Sequence, residues 1–204
     1  MFLMQVQQHG DNFSYIVADD VTRKAAVVDS SFNAGEIIRI LKTENLKLQY
    51  IVNTHGHSDH TAGDEELRSM FGAKTVAHKL SRVNADIAVD DGDVVRVGNV
   101  SIKVIYTPGH TPDSICLLVD NKKLLTGDTL FVGECGRTDL PGGNSRSMYD
   151  SLFNKLLKLT DDVEVYPGHD YGSRPSSTIG EEKRSNYTLQ PRSLGEFIEF
   201  MRQP

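Results

Sequence analysis

The chain has 204 residues, 38% hydrophobic and 25% charged, with a formal net charge of −6. That length suits one domain with a substantial core, and the composition is ordinary for a soluble globular protein. The acidic balance excludes a large non-specific nucleic-acid footprint, which needs a clear excess of Lys and Arg. It leaves room for a small anionic substrate held by a few local cations. Met1–Gly10 has neither a basic n-region nor a long apolar run, and no stretch approaches ~20 uninterrupted apolar residues, so neither a signal peptide nor a membrane span is expected. Cys116 and Cys135 are too few for a disulfide framework and are expected as reduced thiols in a cytoplasmic protein.

Taken in chain order, Leu3–Gln7, Phe13–Ala18 and Ala25–Asp29 read as short strands broken by turn residues. Asn33 suits a helix cap, with Ile37, Ile38 and Leu41 at helical spacing up to about Glu44. Tyr50–Asn53 is a short buried strand. Directly after Val52 comes Thr54–Gly63, Thr-His-Gly-His-Ser-Asp-His-Thr-Ala-Gly, which puts His55, His57, Asp59 and His60 within six residues. No packed core needs three imidazoles and a carboxylate so close together. A divalent metal does, because neutral imidazole nitrogens and carboxylate oxygens are its usual donors. A helix from about Gly63 to Phe71, with Leu67, Met70 and Phe71 inward, sets its N-terminal end beside this loop. Lys74–Ala77 is a further strand. Asp90-Asp91-Gly92-Asp93 is a solvated turn that lacks the spacing and terminal Glu of a calcium loop.

The second half repeats the theme. Val100–Tyr106 ends in Thr107-Pro108-Gly109-His110. Ser114–Val119 and Lys123–Thr126 pair through Asp120-Asn121, and the second of them ends in Gly127-Asp128. Tyr149–Leu159 has the pattern of an amphipathic helix, with Leu152, Phe153, Leu156 and Leu157 on its apolar face. Val163–Tyr166 ends in Pro167-Gly168-His169-Asp170, and Ser193 caps a closing helix through Met201. Four strands therefore end in a donor: His55, His110, Asp128 and His169. Rigid strands with functional loops at their ends are the usual way to build a site.

The pattern His55-x-His57-x-Asp59-His60, followed in order by His110, Asp128 and His169, resembles the metallo-β-lactamase superfamily over most of the chain. The resemblance implies one domain over residues 1–204, an αβ/βα sandwich of two mixed β-sheets flanked by helices, with a metal cleft at one edge. It also implies that the full set serves two metals, with His55, His57 and His110 on one, Asp59, His60 and His169 on the other, and Asp128 between them. Within the superfamily, Gly127-Asp128-Thr129-Leu130-Phe131, Cys135-Gly136-Arg137-Thr138-Asp139 and Pro167-Gly168-His169-Asp170-Tyr171 look like the persulfide dioxygenase branch. That branch holds one Fe(2+) per chain, here by His55, His110 and Asp128, the two-histidine, one-carboxylate arrangement with open positions. His57, Asp59, His60 and His169 then orient the ligands and metal-bound water, with Asp59 and His60 in the catalytic role.

The branch implies a small-thiol persulfide, such as glutathione persulfide, as substrate. Arg137 suits its carboxylate because a planar guanidinium pairs bidentately. A salt bridge to Asp139 or Asp170 competes for it, and Tyr171 is the second substrate-binding candidate. The main rival is a hydrolase of glyoxalase II type, with two Zn(2+) or mixed Fe/Zn, cleaving a thioester such as S-lactoylglutathione. No nucleic acid or membrane partner is expected, and an exposed sheet edge or the closing helix offers a homodimer contact. Cys135 falls near the cleft or in the core, Cys116 in the core, and His9 and His78 match no motif position. The segment after Gly180-Glu181-Glu182 reads Asn186-Tyr187 where the family usually has Asn-Pro, which puts the local turn in question.

Overall fold

The computed structural model describes residues 1–202. Two strands, β2 (Phe13–Ala18) and β9 (Ile115–Val119), are buried at every residue. A strand can be so only when both faces of its sheet are covered, which requires a layer on each side. The first sheet runs β1 (Phe2–Gln7), β2, β3 (Lys24–Val28), β4 (Lys47–Val52), β5 (Lys74–His78), β6 (Ile87–Val89), antiparallel through β3 and parallel thereafter. The second runs β14 (Ser177–Thr178), β13 (Glu164–Pro167), β10 (Lys123–Gly127), β9, β8 (Val100–Tyr106), β7 (Val94–Val97), with only β10 and β13 parallel, and β11 (Leu130–Phe131) pairs with β12 (Glu134–Cys135) as a small separate ribbon.

The period of two along each strand sorts side chains between layers. Tyr15, Val17, Val28 and Val52 of the first sheet meet Val104, Ile115, Leu117 and Val119 of the second between the sheets. The alternate residues Ile16, Val27 and Ile51 face outward into a layer with Ile37 and Leu41 of α1 (Ala34–Thr43) and Leu67 of α3 (Asp64–Phe71). Cys116, Leu118 and Leu124 do the same against Met148 of α4 (Ser145–Tyr149), Ile179 of α5 (Ile179–Ser185) and Phe197 of α6 (Leu194–Phe200). Two mixed sheets face one another with helices outside, as the sequence implied.

Several local expectations shift. Met70 is 48% exposed, so α3 packs through Leu67 and partly through Phe71. The helix expected from Tyr149 starts at Ser145, because Asn144 accepts from Ser147 N. Beyond Tyr149 it opens into wide π-type turns over Asp150–Lys155 and tightens to a 3₁₀ turn over Leu156–Lys158, while Leu152 and Leu156 stay fully buried. Asn186 ends α5 and starts a 3₁₀ turn: its amide oxygen accepts from Thr188 N, and its NH2 donates to Glu182 and to Glu134 O. No helix among the described residues is long and apolar enough to cross a membrane.

The start of α3 carries a pH-sensitive group. Burial pushes the Asp64 carboxyl up to about 6, against the hydrogen bonds it accepts from Ser30 Oγ and Asn53 Nδ2. A carboxyl raised on folding binds its proton more tightly in the native state, so stability falls as pH rises from about 4 to about 6 and stays lower above. The span from 3.8 to about 6 corresponds to at most about 3 kcal/mol. Asp64→Asn is therefore expected to be more stable than the parent at pH 8 and equal to it near pH 4, measured by urea midpoints at both pH values.

Candidate metal centre

The site lies where β4, β8, β10 and β13 end. Past β4 the chain turns through His55 and Gly56 into a single-turn helix, α2 (Ser58–Thr61), which sets His57 just before its start and buries His60. Ile115 N donates to Thr54 O at 2.9 Å, joining the loop to the second sheet. Gly127 closes β10 at φ +47°, which brings its backbone against the Thr54 side chain. Gly168 lies against Asp128 Oδ1, and a Cβ there would meet that oxygen at 2.4 Å. Only glycine leaves that space for the carboxylate.

All seven donors expected from the sequence come together. His55, His57 and His110 form one triad, Asp59, His60 and His169 another, and His55, His60 and Asp128 a third, each with its donor atoms within 4.8 Å of one another. His57 Nδ1 lies 3.0 Å from His55 Nε2 and 3.1 Å from His110 Nε2. Asp128 Oδ2 lies 4.0 Å from His55 Nε2, 3.5 Å from His110 Nε2 and 3.3 Å from His169 Nε2. Asp128 Oδ1 is buried without a hydrogen-bond partner among the described residues.

Four of the remaining ring nitrogens are tied down. Thr54 Oγ1 holds His55 Nδ1 at 3.1 Å, Asp29 Oδ2 holds His60 Nδ1 at 3.0 Å, and Asp11 Oδ1 holds His169 Nδ1 at 3.0 Å. The carbonyl of Arg137 takes His110 Nδ1 at 2.9 Å. Each of these four rings thereby directs its Nε2 inward, the arrangement that prepares imidazole for a metal.

The donor chemistry fits a cation. Nitrogens 3.0 to 3.1 Å apart have about the spacing of neighbouring ligands on one metal with bonds near 2.0–2.1 Å. His60 is flanked by Asp29 at one nitrogen and by Asp59 and Asp128, both at 3.4 Å, at the other. A neutral ring has one N–H, so it cannot donate to carboxylates at both ends, and a cation held at Nε2 would satisfy the inner carboxylates. Burial lowers the His60 pKa, yet Asp128 and Asp29 outweigh it and raise the ring well above its usual value. Burial, then the neighbouring His60, hold His55 well below its usual value, so its lone pair is free at neutral pH. Burial raises the Asp128 carboxyl, but His60 and His169 prevail and keep it ionised.

The sequence matches the family model of the metallo-beta-lactamase superfamily over residues 9–85 and 81–169. The chain belongs to the metallo-beta-lactamase superfamily. Within the superfamily it is 36% identical over 195 residues to the mitochondrial persulfide dioxygenase ETHE1 of Homo sapiens, spanning 93% of this chain and 75% of that protein. It is 35% identical over 184 residues to the hydroxyacylglutathione hydrolase of Pelagibacter ubique, spanning 88% of this chain and 75% of that one. The crystal structure of ETHE1 from Myxococcus xanthus superposes with a TM-score of 0.94 at 36% identity, covering 100% of this chain and 92% of that chain.

Around this superfamily centre the other candidates fall in different places. Tyr171 stacks on His169 with ring centroids 4.9 Å apart and meets Phe131 edge-on at 4.9 Å. Its phenol is pushed up to about 12, first by burial and then by Asp11, Asp128 and Asp59, so it stays protonated at neutral pH. Arg137 puts Nε and Nη2 on the two oxygens of Asp139, at 2.7 and 2.6 Å, in a well-exposed pair. Its side chain lines a groove of about 710 Å³ with Asp139, Tyr187, Phe200 and Met201, and none of the seven donors lines that groove. Cys135 is 6% exposed with Sγ 3.8 Å from Met201 Sδ, and burial pushes its thiol up to about 12. Cys116 lies in the core, its thiol pushed up to about 11 by burial. His78 is buried and stacked on Tyr106 at 4.2 Å, while His9 is exposed.

Four residues of the site went unread in the sequence: Asp11, Asn12, Asp29 and Thr54. Asp29 directly follows β3 and accepts from Thr54 N at 2.8 Å, Thr54 Oγ1 at 2.7 Å and His60 Nδ1. The signal was there for Asp29, as a fifth apolar strand ending in a metal-type side chain.

Proposed function

We propose that this protein is an iron(II) persulfide dioxygenase, converting a small-thiol persulfide of the glutathione persulfide type, one dioxygen and one water into sulfite and the thiol. The observation that carries the reading is the likeness to ETHE1, which extends over the whole chain and nearly the whole of that structure. His55, His110 and Asp128 are the proposed iron ligands. Iron(II) in such a set supplies the redox chemistry and the open positions that dioxygen and a sulfur ligand require.

The chain's own groups orient and enclose. Thr54 and the Arg137 carbonyl fix the rings of His55 and His110. His60 and His169 reach the Asp128 carboxylate from the far side, at 3.4 and 3.3 Å. Asp59 stands 3.4 Å from His60 Nε2, and these two are the proposed catalytic pair for holding protons and water beside the reacting sulfur. Phe131 and Tyr171 wall the His169 side.

Arg137 is the proposed anchor for the carboxylate of the thiol carrier, which then replaces Asp139 on the guanidinium. Arg137→Ala is expected to raise KM about tenfold and leave kcat unchanged, the pattern of lost uniform binding. An unchanged KM in steady-state assays assigns the side chain to its pair with Asp139 alone.

A second reading, a two-metal thioester hydrolase, is favoured by the completeness of the Asp59–His60–His169 triad. One paired assay separates the two. Protein expressed with added iron is analysed for metal, then given glutathione persulfide with oxygen uptake recorded, and S-lactoylglutathione with hydrolysis recorded. About one iron per chain with oxygen uptake and sulfite formation is expected. Two metals per chain with hydrolysis and no oxygen uptake overturns the dioxygenase.

A further inference from the structure

We infer that the turn between β1 and β2 is a clamp on the second triad, with Asp11 and Asn12 as positioning residues for His169 and Asp59. This rests on both triads being able to take a metal ion when Zn²⁺ is supplied to the metal-free chain, and not on which reaction the iron-loaded centre runs.

The backbone makes the attachment. Phe13 N donates to Gly168 O at 2.8 Å, Asp170 N donates to Asp11 O at 2.7 Å, and Asn12 bridges His169 as an isolated antiparallel pair. The turn and the end of β13 are thus joined on both sides of His169. The two side chains then act in different directions. Asp11 Oδ1, 3.0 Å from His169 Nδ1, selects the tautomer with its proton on Nδ1 and leaves the Nε2 lone pair for the site. That Nε2 is 3.2 Å from His60 Nε2 and 3.5 Å from Asp59 Oδ2. Asn12 Nδ2 donates to Asp59 Oδ2 at 3.1 Å and to Asp59 O at 3.3 Å, fixing both the carboxylate and its backbone.

The clamp is selective. His55 and His110 take their support from Thr54 and from the Arg137 carbonyl, and neither belongs to the turn. Two members of one triad are positioned by adjacent residues of a single turn, so a change there loosens that triad and spares the other. Partners of this kind typically contribute about 10–100-fold in metal affinity.

The test titrates the metal-free full chain with Zn²⁺ alone, in competition with a chromophoric chelator. The parent is expected to show two binding steps. Asp11→Ala weakens one of the two steps about 10–100-fold and leaves the other in place. Asp11→Asn, whose amide oxygen still accepts from Nδ1, restores most of the loss. Asn12→Ala acts in the same direction; because Asn12 is buried, a thermal melt of the metal-free variant first establishes that it is folded. Asp11 is 51% exposed, so Asp11→Ala carries the test even where Asn12→Ala unfolds. Equal weakening of both steps, no weakening, or a single step in the parent overturns the clamp. None of these outcomes touches the oxygen-uptake assay of the iron-loaded parent, which tests the reaction separately.

Discussion

Asp128→Asn is expected to leave the protein folded while iron affinity and persulfide-dependent oxygen uptake each fall by more than about 100-fold. Among the described residues, Asp128 is the carboxylate approached by His55, His110 and His169 together, and its Oδ1 has no hydrogen-bond partner. Asparagine keeps the shape and removes the charge that a divalent ion needs. Removing a group that only orients a ligand typically costs about 10–100-fold, so removing a ligand sets a higher floor. Metal content after dialysis and oxygen uptake measure the two quantities, and a variant that keeps both shows that Asp128 is no ligand. His57→Ala is the informative companion. Its Nδ1 sits beside both His55 and His110, yet the single-iron reading places it outside the ligand set. That reading therefore expects His57→Ala to retain stoichiometric iron, whereas a two-metal hydrolase loses a ligand.

What the sequence made legible follows from what a motif is. His55, His110, Asp128 and His169 were readable because each follows an apolar strand, where an imidazole or carboxylate has no packing role. The supports were hidden because their residue types have ordinary explanations. Gly10-Asp11-Asn12 is what any tight turn looks like, and only the pairing of that turn with β13 reveals two aimed side chains. Asp29 and Thr54 are short polar residues at strand ends, and their mutual hydrogen bonds cross between β3 and β4. Arg137 is a different case. Its residue type suggested both a carboxylate anchor and an ion pair with Asp139 or Asp170, and its geometry pairs it with Asp139. In the fold, strands of five or more residues were readable as apolar runs between turn residues, while β6 and β14 are too short to stand out. The turns after Tyr149 could not be foreseen, because a wide helical turn and a regular one bury the same Leu152 and Leu156.

Gly127→Ala is the second substitution expected to have a large effect, on stability as well as on metal binding. At φ +47° an L-residue costs about 1–2 kcal/mol. The added Cβ would also stand 2.4 Å from Thr54 Oγ1 and 2.7 Å from Thr54 Cβ. Thr54 cannot yield freely: Asp29 accepts from its N and its Oγ1, and its carbonyl accepts from Ile115 N. Overpacking of this kind adds about 1–3 kcal/mol, for a total of about 2–5 kcal/mol. Gly133→Ala isolates the backbone contribution, since φ is +82° there and nothing lies within 4 Å of the new Cβ. Urea unfolding of the metal-free proteins, which keeps ligand binding out of the comparison, should place Gly127→Ala well below Gly133→Ala. Equal losses would assign the whole effect to backbone conformation and remove the contact with Thr54 from the account. A larger loss at Gly127, with iron affinity lowered in the same variant and intact in Gly133→Ala, ties the packing of two strand ends to the placement of His55 and Asp128.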